Sequence, residues 1–238
     1  MSNLVTALAK AAERYPHQVA VQGGDEALNL AELDEFSARV AGGLLAHGVR
    51  PGDRVGLRLP FGVAFAALCF GVLRTGAVVV PSHPAPASFP EQRCGNALGA
   101  RLVFIPPDTM AAEEAGRGGT LLVPVGQDFL SQVAFWPNHS VVVPRAGQDP
   151  AVLIRAGAAT GMARDTVLSH RAVQDRSLAV APHSGSGRRI YGLRAVLLSC
   201  SCLSATERSA SPVSPVPAVS RGSGEPPAVT RLALAPGT

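Results

Sequence analysis

Residues 157–164, Gly-Ala-Ala-Thr-Gly-Met-Ala-Arg, hold the residue types in this chain best suited to receive an anion. Gly157, Thr160, Gly161 and Arg164 are the candidate binding residues. The glycines and alanines leave backbone amides uncovered, Thr160 adds a hydroxyl, and Arg164 adds a cation. A polyphosphate is the anion such a loop suits. A loop of small residues also serves as an ordinary tight turn between two strands, and its composition alone leaves both readings open. Asp165 sets a carboxylate beside Arg164, where it opposes a phosphate. Elsewhere the reactive residue types are scattered. His17, His47 and His83 fall at turns and read as solvated, while His170 stands at a helix start, where it reads as orienting the loop rather than as a base. Cys69, Cys94, Cys200 and Cys202 form no Cys-x-x-Cys pair and have no His at zinc-finger spacing, so no metal ligands are assigned.

The elements that must position this loop can be read around it. The apolar run 151–154 predicts a buried strand leading in, and 166–168 a strand returning. Ser169 is a good N-cap for a helix starting at His170. Upstream, Leu4 and Leu8 with their alanines predict a helix ending before Pro16, and residues 19–29 a small hairpin. Leu30, Leu33, Phe36, Val40 and Leu44 form one stripe of a helix over 30–46, which Gly48 terminates. A strand at 54–59, an apolar helix at 61–73 and a strand at 77–80 follow. Residues 61–80 also have to be weighed as a membrane span, but Arg74 and Thr75 interrupt them and Gly76 ends the helix. A short helix at 91–98 and strands at 101–105, 120–123 and 141–143 complete this part; residues 106–119 read as a surface loop with a helical turn. Strand, helix and strand in alternation, with continuous apolar strands, predict an α/β fold whose mostly parallel sheet is flanked by helices.

The loop and its flanks resemble the phosphate-binding signature of the AMP-forming acyl-adenylate ligases (fatty-acyl-CoA and 4-coumarate-CoA ligases), written Y-T-S-G-T-T-G-x-P-K-G-A-V-L-S-H. Residues 149–154 fit the approach strand, and Thr160, Gly161, Val167, Leu168, Ser169 and His170 fit the later positions. The departures fall inside the loop. Arg155 stands for the aromatic, Ala156 for the first hydroxyl residue, Gly157 for Ser, Ala158 for Gly, Ala159 for Thr, Ala163 for Pro, Arg164 for Lys and Asp165 for Gly. The stretches 48–55, 74–81 and 99–104 are similar to early segments of the same family, so the resemblance runs from residue 4 to about 173. It implies the incomplete N-terminal part of the ligase large domain, with ATP, Mg2+ and coenzyme A as the family's cofactors and fatty or aryl acids as its substrates.

Composition agrees with a globular body followed by a different tail. Apolar residues make up 47% and aromatic ones 5%, so the core must be built from Ala, Val and Leu. The formal charge of +4 is spread along the chain rather than clustered, which argues against nucleic acid as partner. Lys10 is the only lysine, and it lies in the first helix. The family uses one lysine in the phosphate loop and another in a mobile C-terminal domain, and Lys10 matches neither. Residues 1–180 are expected to form the partial AMP-binding domain, and 181–238 a disordered Ser/Pro/Gly-rich tail resembling sequence read out of frame. The N-terminus reads as no secretory signal, which points to the cytoplasm. The reading is therefore a truncated ligase-like protein, inactive alone, with nucleotide as a possible ligand. The alternative is a non-catalytic interaction module on the same partial fold, and an exposed sheet edge would allow a protein partner or self-association.

Overall fold

The computed structural model describes residues 3–23, 26–82, 99–109, 120–156 and 164–179. The expected helix at 91–98 and the tail lie outside them, as does most of the expected loop after Thr109.

Helix α1 (Leu4–Arg14) is capped by Asn3, whose side chain accepts from the Val5 amide. Strands β1 (Val19–Gly23) and β2 (Glu26–Asn29) form a separate antiparallel pair. Helix α2 (Leu30–Ala46) begins in a capping box: Asn29 Oδ1 accepts from the Glu32 amide at 2.9 Å, and Glu32 Oε2 accepts from the Asn29 amide at 2.8 Å. It ends where Gly48 takes φ 73°, a conformation a side chain would disfavour. Strand β3 (Arg54–Arg58), helix α3 (Val63–Arg74) and strand β4 (Val78–Ser82) follow, then β5 (Leu102–Ile105), a 3-10 turn at Pro107–Thr109 and β6 (Leu121–Pro124). A short helix α4 (Phe129–Val133), strands β7 (Pro150–Ala156) and β8 (Arg164–Ser169), and helix α5 (His170–Ala179) complete the described chain.

The six-stranded sheet has the order β6-β5-β3-β4-β7-β8. All its neighbours run parallel except β7 and β8. The apolar strands do not alternate because both faces are covered. Val55, Leu57, Val79, Phe104, Val152 and Ile154 join α1, α2, α3 and Val173 of α5 in the main core. Val78, Val80 and Leu153 form a second cluster on the strands, and Ala100, Val103, Ile105 and Leu122 a third. Arg58 is buried too, though its position in β3 reads as an outward one. The sheet edges among the described residues are β6 and β8.

Residues 61–80 divide into α3 and β4 as expected, and no helix among the described residues is long and apolar enough to cross a membrane. One expectation changes. Residues 141–143 form no strand. Instead the Val143 amide donates to the Arg74 carbonyl at 2.9 Å and its carbonyl accepts from Asn3 Nδ2 at 2.9 Å, so side-chain and helix-end partners take the place of a strand ladder.

The reason lies in Arg74, which is 1% exposed. Its guanidinium donates to the Asp34 carboxylate, to Ser37 Oγ (3.1 Å from Nε and 2.9 Å from Nη2) and to the Ser140 carbonyl at 2.6 Å. One buried cation thereby fastens α2, α3 and the segment after α4 together. That segment lies against α2, where Trp136 covers Gly43 and meets the Phe129 ring edge-on at 5.8 Å between centroids. A Cβ on Gly43 would overlap the indole. Alanine normally favours a helix over glycine by about 1 kcal/mol, but overpacking here costs about 1–3 kcal/mol. Gly43→Ala should therefore lower stability in urea unfolding; a variant as stable as the wild type would mean that Trp136 moves aside without cost.

Candidate functional site

The candidate loop is the crossing between β7 and β8. Strand β7 lies parallel to β4 through Val79 and Val152, which places it inside the sheet. Its apolar run, Ala151 to Ile154, is buried. Strand β8 returns antiparallel, with Ile154 opposite Thr166, Arg155 opposite Asp165 and Ala156 opposite Arg164. Arg164 therefore stands at the mouth of the hairpin, on the last rung before the crossing. Gly157, Thr160 and Gly161 belong to the crossing itself and lie outside the described residues.

The other end of the hairpin is fixed by a set of bonds. The Asp149 carboxylate accepts from the Ala146 amide at 2.8 Å and pairs with Arg145 Nε at 3.3 Å. The His170 amide donates to the Asp149 carbonyl at 3.1 Å, and the Arg171 amide to the Gly147 carbonyl at 2.9 Å. Ser169 Oγ accepts from the Ala172 amide at 3.2 Å and so caps α5 as expected. The chain entering β7 and the chain leaving β8 are thus held together.

His170 is fully buried at this base. Its Nδ1 accepts from the Leu4 amide at 3.3 Å. With Nδ1 as acceptor the neutral ring carries its proton on Nε2, which is buried and finds no hydrogen-bond partner among the described residues. Burial lowers its pKa from 6.5 to about 4, with the Arg145 guanidinium adding to the effect and Asp149 opposing it. The ring sits at the end of β8 away from the crossing, where its contact is with the start of α1.

The residue types at the mouth fit a polyphosphate in kind: a guanidinium on a strand end and, in the crossing, small residues with one hydroxyl. Among the described residues no group of three or more His, Cys, Asp or Glu side chains is placed to hold a metal ion.

A family model for AMP-binding enzymes matches residues 8–204. The chain belongs to that family. The match passes the hairpin and continues beyond Ala179, further along the chain than the motifs at 149–173 carry the resemblance. Two relatives illustrate the likeness. The nonribosomal peptide synthetase-like enzyme fsqF of Aspergillus fumigatus is 31% identical over 191 residues, covering 80% of this chain and 12% of that protein. A feruloyl-CoA synthase from an Amycolatopsis species is 36% identical over 165 residues, covering 67% of this chain and 32% of that enzyme. The inhibitor-bound N-terminal domain of FACL13 from Mycobacterium tuberculosis superimposes with a TM-score of 0.68 at 25% identity, covering 77% of this chain and 49% of that one. This AMP-binding family chain therefore spans a third or less of the length of the two relatives.

Sequence reasoning reached the hairpin and Arg164 but missed the residues that brace its base. Asn3 donates from Nδ2 to the Leu73 carbonyl at 3.2 Å as well as to Val143, and neither partner is near it in sequence. Asp149 was placed only in the approach strand. Its i, i+4 spacing from Arg145 was the signal available for their ion pair.

Proposed function

We propose that this chain is the N-terminal part of a ligase that joins a carboxylic acid to AMP from ATP and passes the acyl group to a thiol, and that alone it completes no adenylation. The β7–β8 hairpin with Arg164 on its last rung supports this reading, because it flanks the segment that resembles the family's phosphate-binding signature in a chain that belongs to the family. ATP supplies the adenylyl group and a pyrophosphate leaving group. Arg164, Thr160 and the amides of Gly157 and Gly161 are the groups of this chain that would hold the phosphates and spread the developing charge. Arginine grips phosphate through a planar fork and does not reproduce the compact ammonium of a lysine, so its fit to this geometry is poorer. Lys10 lies on the exposed side of α1 and leaves the loop without one. The acyl substrate and coenzyme A belong to the family reaction and are proposed here with it.

Calorimetric titration with ATP tests the nucleotide part. Binding should be weaker than micromolar, and Arg164→Ala should weaken it by a further tenfold or so, the loss of one charge-assisted hydrogen bond. Micromolar or tighter binding would contradict the weak loop, and binding indifferent to Arg164→Ala would remove the loop from the site.

A further inference from the structure

The first turn of α1 is tied to the hairpin base by a contact that the ligase reading does not use. A helix leaves its first amides without partners inside the helix. Here the Val5 amide donates to Asn3 Oδ1 and the Thr6 amide to the Asn3 carbonyl, while the Leu4 amide goes to a side chain distant in sequence, Nδ1 of His170. That ring is fully buried, and its Nε2 is left without a partner among the described residues. Asn3, the adjoining residue, also holds the carbonyls of Leu73 and Val143. Residues 3 and 4 therefore join the end of α3, the segment before β7 and the start of α5.

We propose that His170 is an acid-sensitive latch: as a neutral acceptor it fastens α1 to the β8–α5 junction, and when it gains a proton it releases α1 while the sheet stays folded. The chemistry is one of donor against donor. A second ring proton must go to Nδ1, where it would face the Leu4 N–H instead of accepting from it. The charged groups that face the ring are Arg145, which opposes protonation, and Asp149, which favours it; both lie in the segment before β7. From α1 the ring meets a backbone amide, and the first turn of that helix, Leu4 to Ala7, has no ionisable side chain. On α5 itself Arg171 and Asp175 pair with each other at the surface at 3.7 Å. The sign follows from the lowered pKa. The unfolded chain takes this proton near 6.5 and the folded chain only near 4, so the contact's contribution is complete above about 6.5 and is lost as pH falls toward about 4.

Amide hydrogen exchange on the full chain, corrected for intrinsic rates, tests the latch. Protection of the Leu4 amide should fall about tenfold as pH drops from 6 to below 4, while the amides of Val55 and Val79 in the central strands stay protected. His170→Asn keeps an acceptor near the Nδ1 position but cannot titrate, so its Leu4 protection should stay flat over that range. Loss of Leu4 and sheet protection together, or the same acid response in His170→Asn, would overturn the proposal. The ring of the wild-type protein gives a second measurement independent of any variant. Its 15N shifts at neutral pH should show a bare Nδ1 and a protonated Nε2, with a midpoint well below 6.5; the opposite tautomer or an ordinary midpoint would also overturn it.

Discussion

Asp34→Ala should cost the fold about 2–4 kcal/mol, one of the two largest effects expected of a small change in this chain. Asp34 is the anion against Arg74, whose side chain is 1% exposed while that of Asp34 is 29% exposed. Without the carboxylate, the guanidinium would remain buried with only neutral partners, Ser37 Oγ and the carbonyls of Asp34 and Ser140. An uncompensated buried charge commonly costs about 3–5 kcal/mol, and the partial exposure of Asp34 reduces that figure. Against a total stability of roughly 5–15 kcal/mol, such a loss would melt a marginal domain. The charge argument makes a second, sharper demand. In Asp34→Ala with Arg74→Met no cation remains buried between α2 and α3, so the double variant should be more stable than Asp34→Ala alone. Urea unfolding of both variants decides it. A cost below about 1 kcal/mol for the single variant, or simple additivity in the double, would mean that the cluster acts through packing and not through charge.

How far the sequence foretold this arrangement depends on how local each cause is. Helix α2 was legible to its last residue because its stripe and its terminating Gly48 lie within or beside it. The parallel sheet was legible because continuous apolar strands need cover on both faces, and the clusters around Val79 and Val103 provide it. Arg74 and Thr75 were read as interrupting the apolar run; the helix includes Arg74 and ends at Thr75 and Gly76. The burial of Arg74 could not be read, since its partners sit 37 and 66 positions away at Ser37 and Ser140. The same distance in sequence concealed the fate of residues 141–143. A β-branched run signals a strand by pattern, but here the bonds to Arg74 and Asn3 decide the conformation. At the candidate site the strands leading into and out of the loop were legible as apolar runs, and the register sets Arg164 on the last rung before the crossing. His170 matched its motif position while its contact with Leu4, 166 residues away, left no local trace.

The other large effect concerns chemistry. Carboxylate-dependent exchange of labelled pyrophosphate into ATP, run with fatty and aryl acids, should stay at the level of a control without protein. Adenylation requires the charge that develops on the departing pyrophosphate to be held by groups already in place. In this chain the loop offers Thr160 and Arg164 where the family pattern has several hydroxyls and a lysine, and Asp165 follows directly. The single lysine of this sequence is on α1, outside the loop. A deficit of about 4 kcal/mol in transition-state stabilisation is already a loss of roughly a thousandfold in rate. Exchange clearly above the control, abolished in the Thr160→Ala and Arg164→Ala double variant, would overturn the inactive reading and make the hairpin a working site. Exchange that survives the double variant would instead point to catalysis away from the loop, since these two residues are the hydroxyl and the cation of residues 157–164.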